Sequence, residues 1–89
     1  MPTEMYARCE VLPGTFDSEW FVILGDISAV VDKNNVKVGH PDMKNGNRLM
    51  GSVLVYLVDE NPLRLLVELP GQAVVGGLRT WIPRDALAA

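Results

Sequence analysis

Two stretches of the chain share one outline, and that outline limits the fold more than any other feature. Between Leu78 and Leu87, five strand-suited residues run into Pro83, a tight polar turn follows, and Leu87 returns apolar. Proline has no N–H to give to a ladder, so it ends a strand where it stands. Between Ile27 and Val36 the order repeats: strand, a break at Asp32, three polar residues, and Val36 as the apolar return. One stretch closes the chain and the other stops short of its middle, so they read as equivalent parts of two related halves.

The remaining segments fit that frame. Met5 to Leu12 suits a strand, and Pro13-Gly14 marks a turn. Trp20 to Leu24 is short, aromatic and β-branched, which favours a strand over a helix. Gly25-Asp26 joins it to Ile27 in the manner of a two-residue hairpin with glycine first. Leu49 to Val58 is the longest apolar stretch, with Val53, Val55 and Leu57 on one face and Leu54, Tyr56 and Val58 on the other. After the turn Asp59-Glu60-Asn61-Pro62, the run from Leu63 to Leu69 alternates. That alternation predicts a buried face of Leu63, Leu65, Val67 and Leu69. Pro70 to Gly77 reads as a loop, and Gly39 to Asn47 as the exposed joint between the halves.

Cys9 to Leu24 matches Leu54 to Leu69 in length, which sets Val22 beside Val67 and Leu24 beside Leu69. A six-residue addition in the second loop then sets Val31 beside Ile82; identity across the pairing is low, and chance alignment of two hydrophobic β segments is the alternative to a duplication. No segment carries a helical period. Short strands with regular turns predict an all-β fold, a small SH3-like or six-stranded barrel built from two three-strand halves.

The chain has 89 residues, the length of one domain, and Cys9 is its only cysteine. Neither an internal disulfide nor a cysteine zinc cluster can reinforce so small a core. Yet 48% of the residues are hydrophobic, and the long strands are apolar on both faces. One barrel interior accepts only one face, so the other is expected to meet a second copy. The expected partner is the same chain, as a dimer or higher homo-oligomer, with a protein or small-molecule ligand as a further partner.

A net charge of −3 disfavours nucleic-acid binding, which needs a basic field. The N-terminal Met-Pro-Thr-Glu-Met lacks the basic and apolar regions of a signal peptide, and no apolar run is long enough to span a bilayer. A soluble, cytoplasmic protein of bacterial type, without a membrane partner, is the expectation. An unpaired cysteine agrees with a reducing compartment.

The segment Thr80-Trp81-Ile82-Pro83-Arg84-Asp85-Ala86-Leu87 resembles the end of SH3 and SH3-like barrels. There an aromatic-aliphatic-proline strand end leads into a 3-10 turn and a last apolar strand. In peptide-binding members, that proline and a tyrosine three residues later line a groove for proline-rich ligands. Here Pro83 is kept and Ala86 stands in the tyrosine's place. The C-terminal strand of plasmid-borne type II dihydrofolate reductases, which act as tetramers, is similar in outline. Its glutamine and tyrosine are absent here. Both resemblances imply architecture and self-association only.

Chemistry-bearing residues are few. His40, the only histidine, stands beside Pro41 and Asp42; it reads as a solvated loop residue or as one weak element of a metal or catalytic set. Cys9 lacks an activating base in sequence and reads as a buried, inert thiol. Asp17, Glu19, Asp59 and Glu60 fall in equivalent turns, solvated or converging on a cation. No catalytic set, cofactor motif or metal-ligand spacing is present, so no catalytic residue, cofactor or metal is assigned. The candidate binding surface is Trp81, Arg79, Arg84 and Pro83, with Trp20 or Tyr56. Arginine beside tryptophan suits a carboxylate, a peptide or a base, and Trp81 reads otherwise as a plug in the barrel or a subunit contact.

These residues predict an interaction or assembly module without enzymatic chemistry. Two alternatives remain: a small-molecule binder or enzyme whose site forms between subunits on a symmetry axis, and a nucleic-acid-binding barrel.

Overall fold

A computed structural model describes residues 3–38 and 49–88. The expected joint after Val38, with His40, lies outside the described residues. The fold is all-β: one curled antiparallel sheet that forms a half-barrel, with two 3-10 turns and no α-helix among the described residues. No helix in them is long and apolar enough to cross a membrane.

Eight strands follow in order: β1 (Thr3–Pro13), β2 (Glu19–Leu24), β3 (Ile27–Asp32), β4 (Val36–Val38), β5 (Leu49–Glu60), β6 (Arg64–Glu68), β7 (Gln72–Val75) and β8 (Arg79–Pro83). Across the sheet the order is β7-β3-β2-β1-β5-β6-β8, and β4 also pairs with β5. The central pair is β1 against β5, from Thr3 opposite Leu57 to Val11 opposite Leu49. Their shared inner face carries Ala7, Cys9, Val11, Val53 and Val55, all buried. Val22, Leu24, Leu65, Val67, Leu69 and Ile82 complete the centre of the core.

The second hairpin of each half repeats in register, whereas the first does not: Val11 faces Val22 on β1 and β2, but Leu57 and not Tyr56 faces Val67 on β5 and β6. Trp20 lies opposite Val31 on β2 and β3, and Leu65 lies opposite Ile82 on β6 and β8. Each half then makes a 3-10 turn, at Lys33–Asn35 and at Arg84–Ala86. In the first, the Asp32 carboxylate accepts the Asn34 N–H at 2.8 Å, which ends β3 by offering the backbone a local partner. After its turn each half gives its apolar return to the other half. Val36 pairs with Val53 of β5, and Leu87 bridges to Ala7 of β1. The outline shared by the two stretches is thus a device for lacing the halves together.

The halves differ at one loop. Two residues separate Leu24 from Ile27, with Gly25 at φ 58°, the left-handed backbone that a tight hairpin turn requires. Eight separate Leu69 from Leu78, and inside them lies β7, where the sequence reading placed only a loop. Strand β7 crosses over and pairs with β3. Gly71, at φ 139°, starts this excursion so close to β3 that a Cβ on it would collide with the Val30 carbonyl oxygen. Gly71→Ala is expected to cost about 1–3 kcal/mol through backbone strain and a loosened β3–β7 pair. Denaturant unfolding together with amide exchange on residues 72–75 checks it.

Three further expectations change. Leu63 is 80% exposed instead of buried, because the Asn61 carboxamide oxygen accepts the N–H groups of Leu63 and Arg64 at 2.9 and 2.7 Å. That turn delays the strand until Arg64. Asp59 and Glu60 belong to β5 instead of a turn; the ladder to β6 is interrupted between Leu57 and Asp59, so Val58 bulges out. A short extra strand, β4, follows the first 3-10 turn, and with β7 it brings the count to eight strands among the described residues where six were expected.

Candidate functional site

On the outer face of the β6–β8 hairpin, register sets the side chains in rows. Arg64 lies opposite Pro83, Leu66 opposite Trp81, and Glu68 opposite Arg79. Residues two apart on a strand share a face, so Trp81 is flanked by Arg79 and Pro83 on its own strand and by Leu66 across from it. Trp81 is 41% exposed. It plugs no core, and its indole covers Leu66's side of the sheet while leaving one side to solvent.

Beside this face runs an open cleft of about 460 Å³, lined by Asp26, Ile27, Arg64, Leu66, Gly76, Arg79, Thr80 and Trp81. Its far wall is the β2–β3 turn. The Thr80 hydroxyl donates to the Asp26 carboxylate at 2.8 Å and ties that turn to β8. Arg79 is occupied: its Nε donates to Glu68 at 2.8 Å. The two side chains are 59% and 38% exposed, so the pair adds little stability and mainly orients the guanidinium. Arg64 makes no side-chain hydrogen bond or ion pair among the described residues. Its charge is the one in the cleft left to act on something else.

The sequence candidates therefore separate. Trp81, Arg79 and Pro83 share one face. Tyr56 is on that face of β5, in the row Tyr56, Glu68, Arg79, with Glu68 between it and the arginine. Arg84 is not in the cleft: it donates to Glu60 at 2.8 Å and to the backbone carbonyls of Asn61 and Pro62 at 2.6 and 3.2 Å, holding the β5–β6 turn. Trp20 lies on β2, packs against the core, and borders a different hollow with Pro13, Phe16 and Lys33. Arg64 escaped the sequence reading. The signal existed in the hairpin: once Leu65 faces Ile82, Arg64 must face Pro83.

Other candidates resolve more simply. Among the described residues no three of His, Cys, Asp and Glu cluster as a metal site. Glu60 is held by Arg84, and Asp59 accepts the Glu60 N–H at 2.8 Å.

Cys9 is free and 4% exposed, and burial, with a smaller contribution from the Glu10 charge, pushes its thiol up from 9.0 to about 12. A raised folded-state pKa gives stability that is present in full below pH 9 and lost as pH climbs toward 12. Over that window the unfolded thiol ionises while the buried one stays protonated. The folding constant should fall by up to about tenfold per pH unit from this group. Urea midpoints at about pH 8 and about pH 11, for wild type and Cys9→Ala, isolate the effect. The alkaline loss should be smaller in the variant.

The cleft offers recognition chemistry: an aromatic surface, one uncommitted guanidinium, one oriented guanidinium and a sheet edge. Comparison with family models, with curated proteins and with solved structures returns no match, so the chain is placed by its architecture alone, as an all-strand curled half-barrel.

Proposed function

We propose that the protein is a self-associating interaction module, without enzymatic chemistry, whose copies meet through the outer face of β1, β2 and β3. One observation carries the reading. Leu12, Phe21 and Val30 form a row across these strands, pointing away from the core, and Ile23 stands in the next row between Glu10 and Ser28. All four apolar side chains are half-buried, and the described residues form a single sheet with no second layer to cover them. The apolar surface continues onto β7, where Val74 and Val75 are 52% and 60% exposed. A face like this in so small a chain is the mark of an interface, since contiguous apolar patches are costly to leave in water.

The reading takes the half-barrel as a small SH3-like barrel working in the cytoplasm. Strand β8, its terminal Pro83, the 3-10 turn at Arg84–Ala86 and the return of Leu87 support the first part. The lone buried thiol supports the second. Size-exclusion chromatography with light scattering, on the order of tens of micromolar, tests self-association. A dimer or larger assembly is expected, and a strict monomer overturns the reading.

A further inference from the structure

The repeat of the halves is broken at the outer edges of β3 and β8, and the break leaves a vacancy. On β3, Ser28 and Val30 are paired on the outer side by Val75 and Gln72 of β7. The positions that correspond on β8 are Arg79 and Trp81, since Val31 matches Ile82 in register. Strand β8 ends the sheet, and among the described residues nothing pairs with its outer side. The cause is loop length. The eight-residue loop of the second half reaches over to supply β7, whereas Gly25-Asp26 is too short to supply its counterpart.

Backbone direction agrees. The Leu69 N–H donates to the Leu78 carbonyl at 2.8 Å, so the alternation of an antiparallel ladder turns Thr80 and Ile82 toward β6. The N–H and C=O groups of Arg79 and Trp81 are left facing the cleft, and Pro83, with no N–H, ends the edge.

Charge selects the occupant. The cleft is lined by Arg64, which has no partner among the described residues, by Arg79, which Glu68 already holds, and by Asp26. Asp26 accepts the Thr80 hydroxyl and is not ion-paired to either arginine. Arg79 stands beside the position of an added strand and Arg64 reaches the cleft from β6. The edge at the opposite end of the strand order, on β7, is uncharged. A second copy docking through β7 would leave Arg64 unanswered, whereas an acidic segment would not.

We propose that the open edge of β8 accepts an extended, acidic peptide segment of a partner protein as an added strand, bonded to the backbone of Arg79 and Trp81. The segment's acidic side chains meet Arg64, beside the Arg79 that Glu68 orients, and its apolar ones lie on Trp81. Such additions draw affinity from main-chain bonds and specificity from alternate side chains. This surface is separate from the outer face of β1, β2 and β3, so each assignment stands or falls alone.

The test uses the full chain and a blocked hexapeptide alternating valine and glutamate, followed by calorimetry and amide NMR. Saturable binding is expected, with the Arg79 and Trp81 amides shifting and gaining protection from exchange. A version N-methylated on its edge-facing residues should bind about tenfold more weakly or worse, and one with lysine for glutamate likewise. Arg64→Ser, at an exposed and unpaired side chain, should fold normally and weaken binding about fivefold. Absence of saturable binding up to millimolar peptide would overturn the proposal. Equal affinity for the N-methylated peptide would also overturn it. So would protection of the Arg79 and Trp81 amides that appears without peptide and grows with protein concentration, since a second copy would then own the edge.

Discussion

Alanine at Leu65 should cost about 2–5 kcal/mol, while alanine at Leu63 should change stability by no more than about 0.5 kcal/mol and at Leu66 by about 1 kcal/mol. The three leucines stand within four consecutive residues, so composition and local propensity are nearly constant across the set. Their surroundings are not. Leu65 is 2% exposed opposite Ile82 in the core, and its removal leaves a hole that the rigid β6–β8 pair cannot fill. Leu66 is on the outer face against Trp81, half-buried, and loses only part of its contacts. Leu63 projects from the Asn61 turn at 80% exposure. Urea unfolding of the three variants therefore reads the register of the hairpin. A slip of one residue would exchange the costs at Leu65 and Leu66, because strand side chains alternate between faces. Equal costs at both positions would mean that the second half is not a packed sheet.

The same leucines show what was legible in the sequence. Alternation alone gave the inner face from Leu65 to Leu69, because period two needs no knowledge of the partner strand. It failed at Leu63, where the asparagine two residues earlier captures the backbone and takes the chain out of the strand before the period can apply. The inward matches Val22 with Val67, Leu24 with Leu69 and Val31 with Ile82 were readable as apolar positions. The same matching fails on the first strand, where Cys9 and Val11 are buried and Leu54 and Tyr56 lie on the outer face. Strand β7 was not readable. Gln72-Ala73-Val74-Val75 sits between glycines, all four residues are exposed, and what makes it a strand is the edge of β3, distant in sequence. The candidate surface divides the same way. Trp81 and Arg79 were legible as neighbours at strand spacing. The release of Arg84 to the β5–β6 turn and the recruitment of Arg64 depended on pairings that only the fold specifies.

Lysine in place of Ile23 should convert the assembled protein to a monomer without unfolding it. Ile23 is on the outer face of β2, with Glu10 opposite on β1 and Ser28 opposite on β3, in the row next to Leu12, Phe21 and Val30. In a lone chain a lysine there extends its ammonium into water, so the cost to folding is small. In an assembly that buries this face, the same ammonium loses its water with no partner prepared for it. The penalty for stranding a charge in an interface is about 3–5 kcal/mol, which weakens association by two to three orders of magnitude. Light scattering should then return the monomer mass for Ile23→Lys at concentrations where the wild type is assembled, with circular dichroism unchanged. Leu63→Lys, on the far hairpin, should leave the assembly intact. An assembly that survives lysine at Ile23, or one that dissociates on lysine at Leu63, would place the contact elsewhere and remove the outer face of β1, β2 and β3 as the interface.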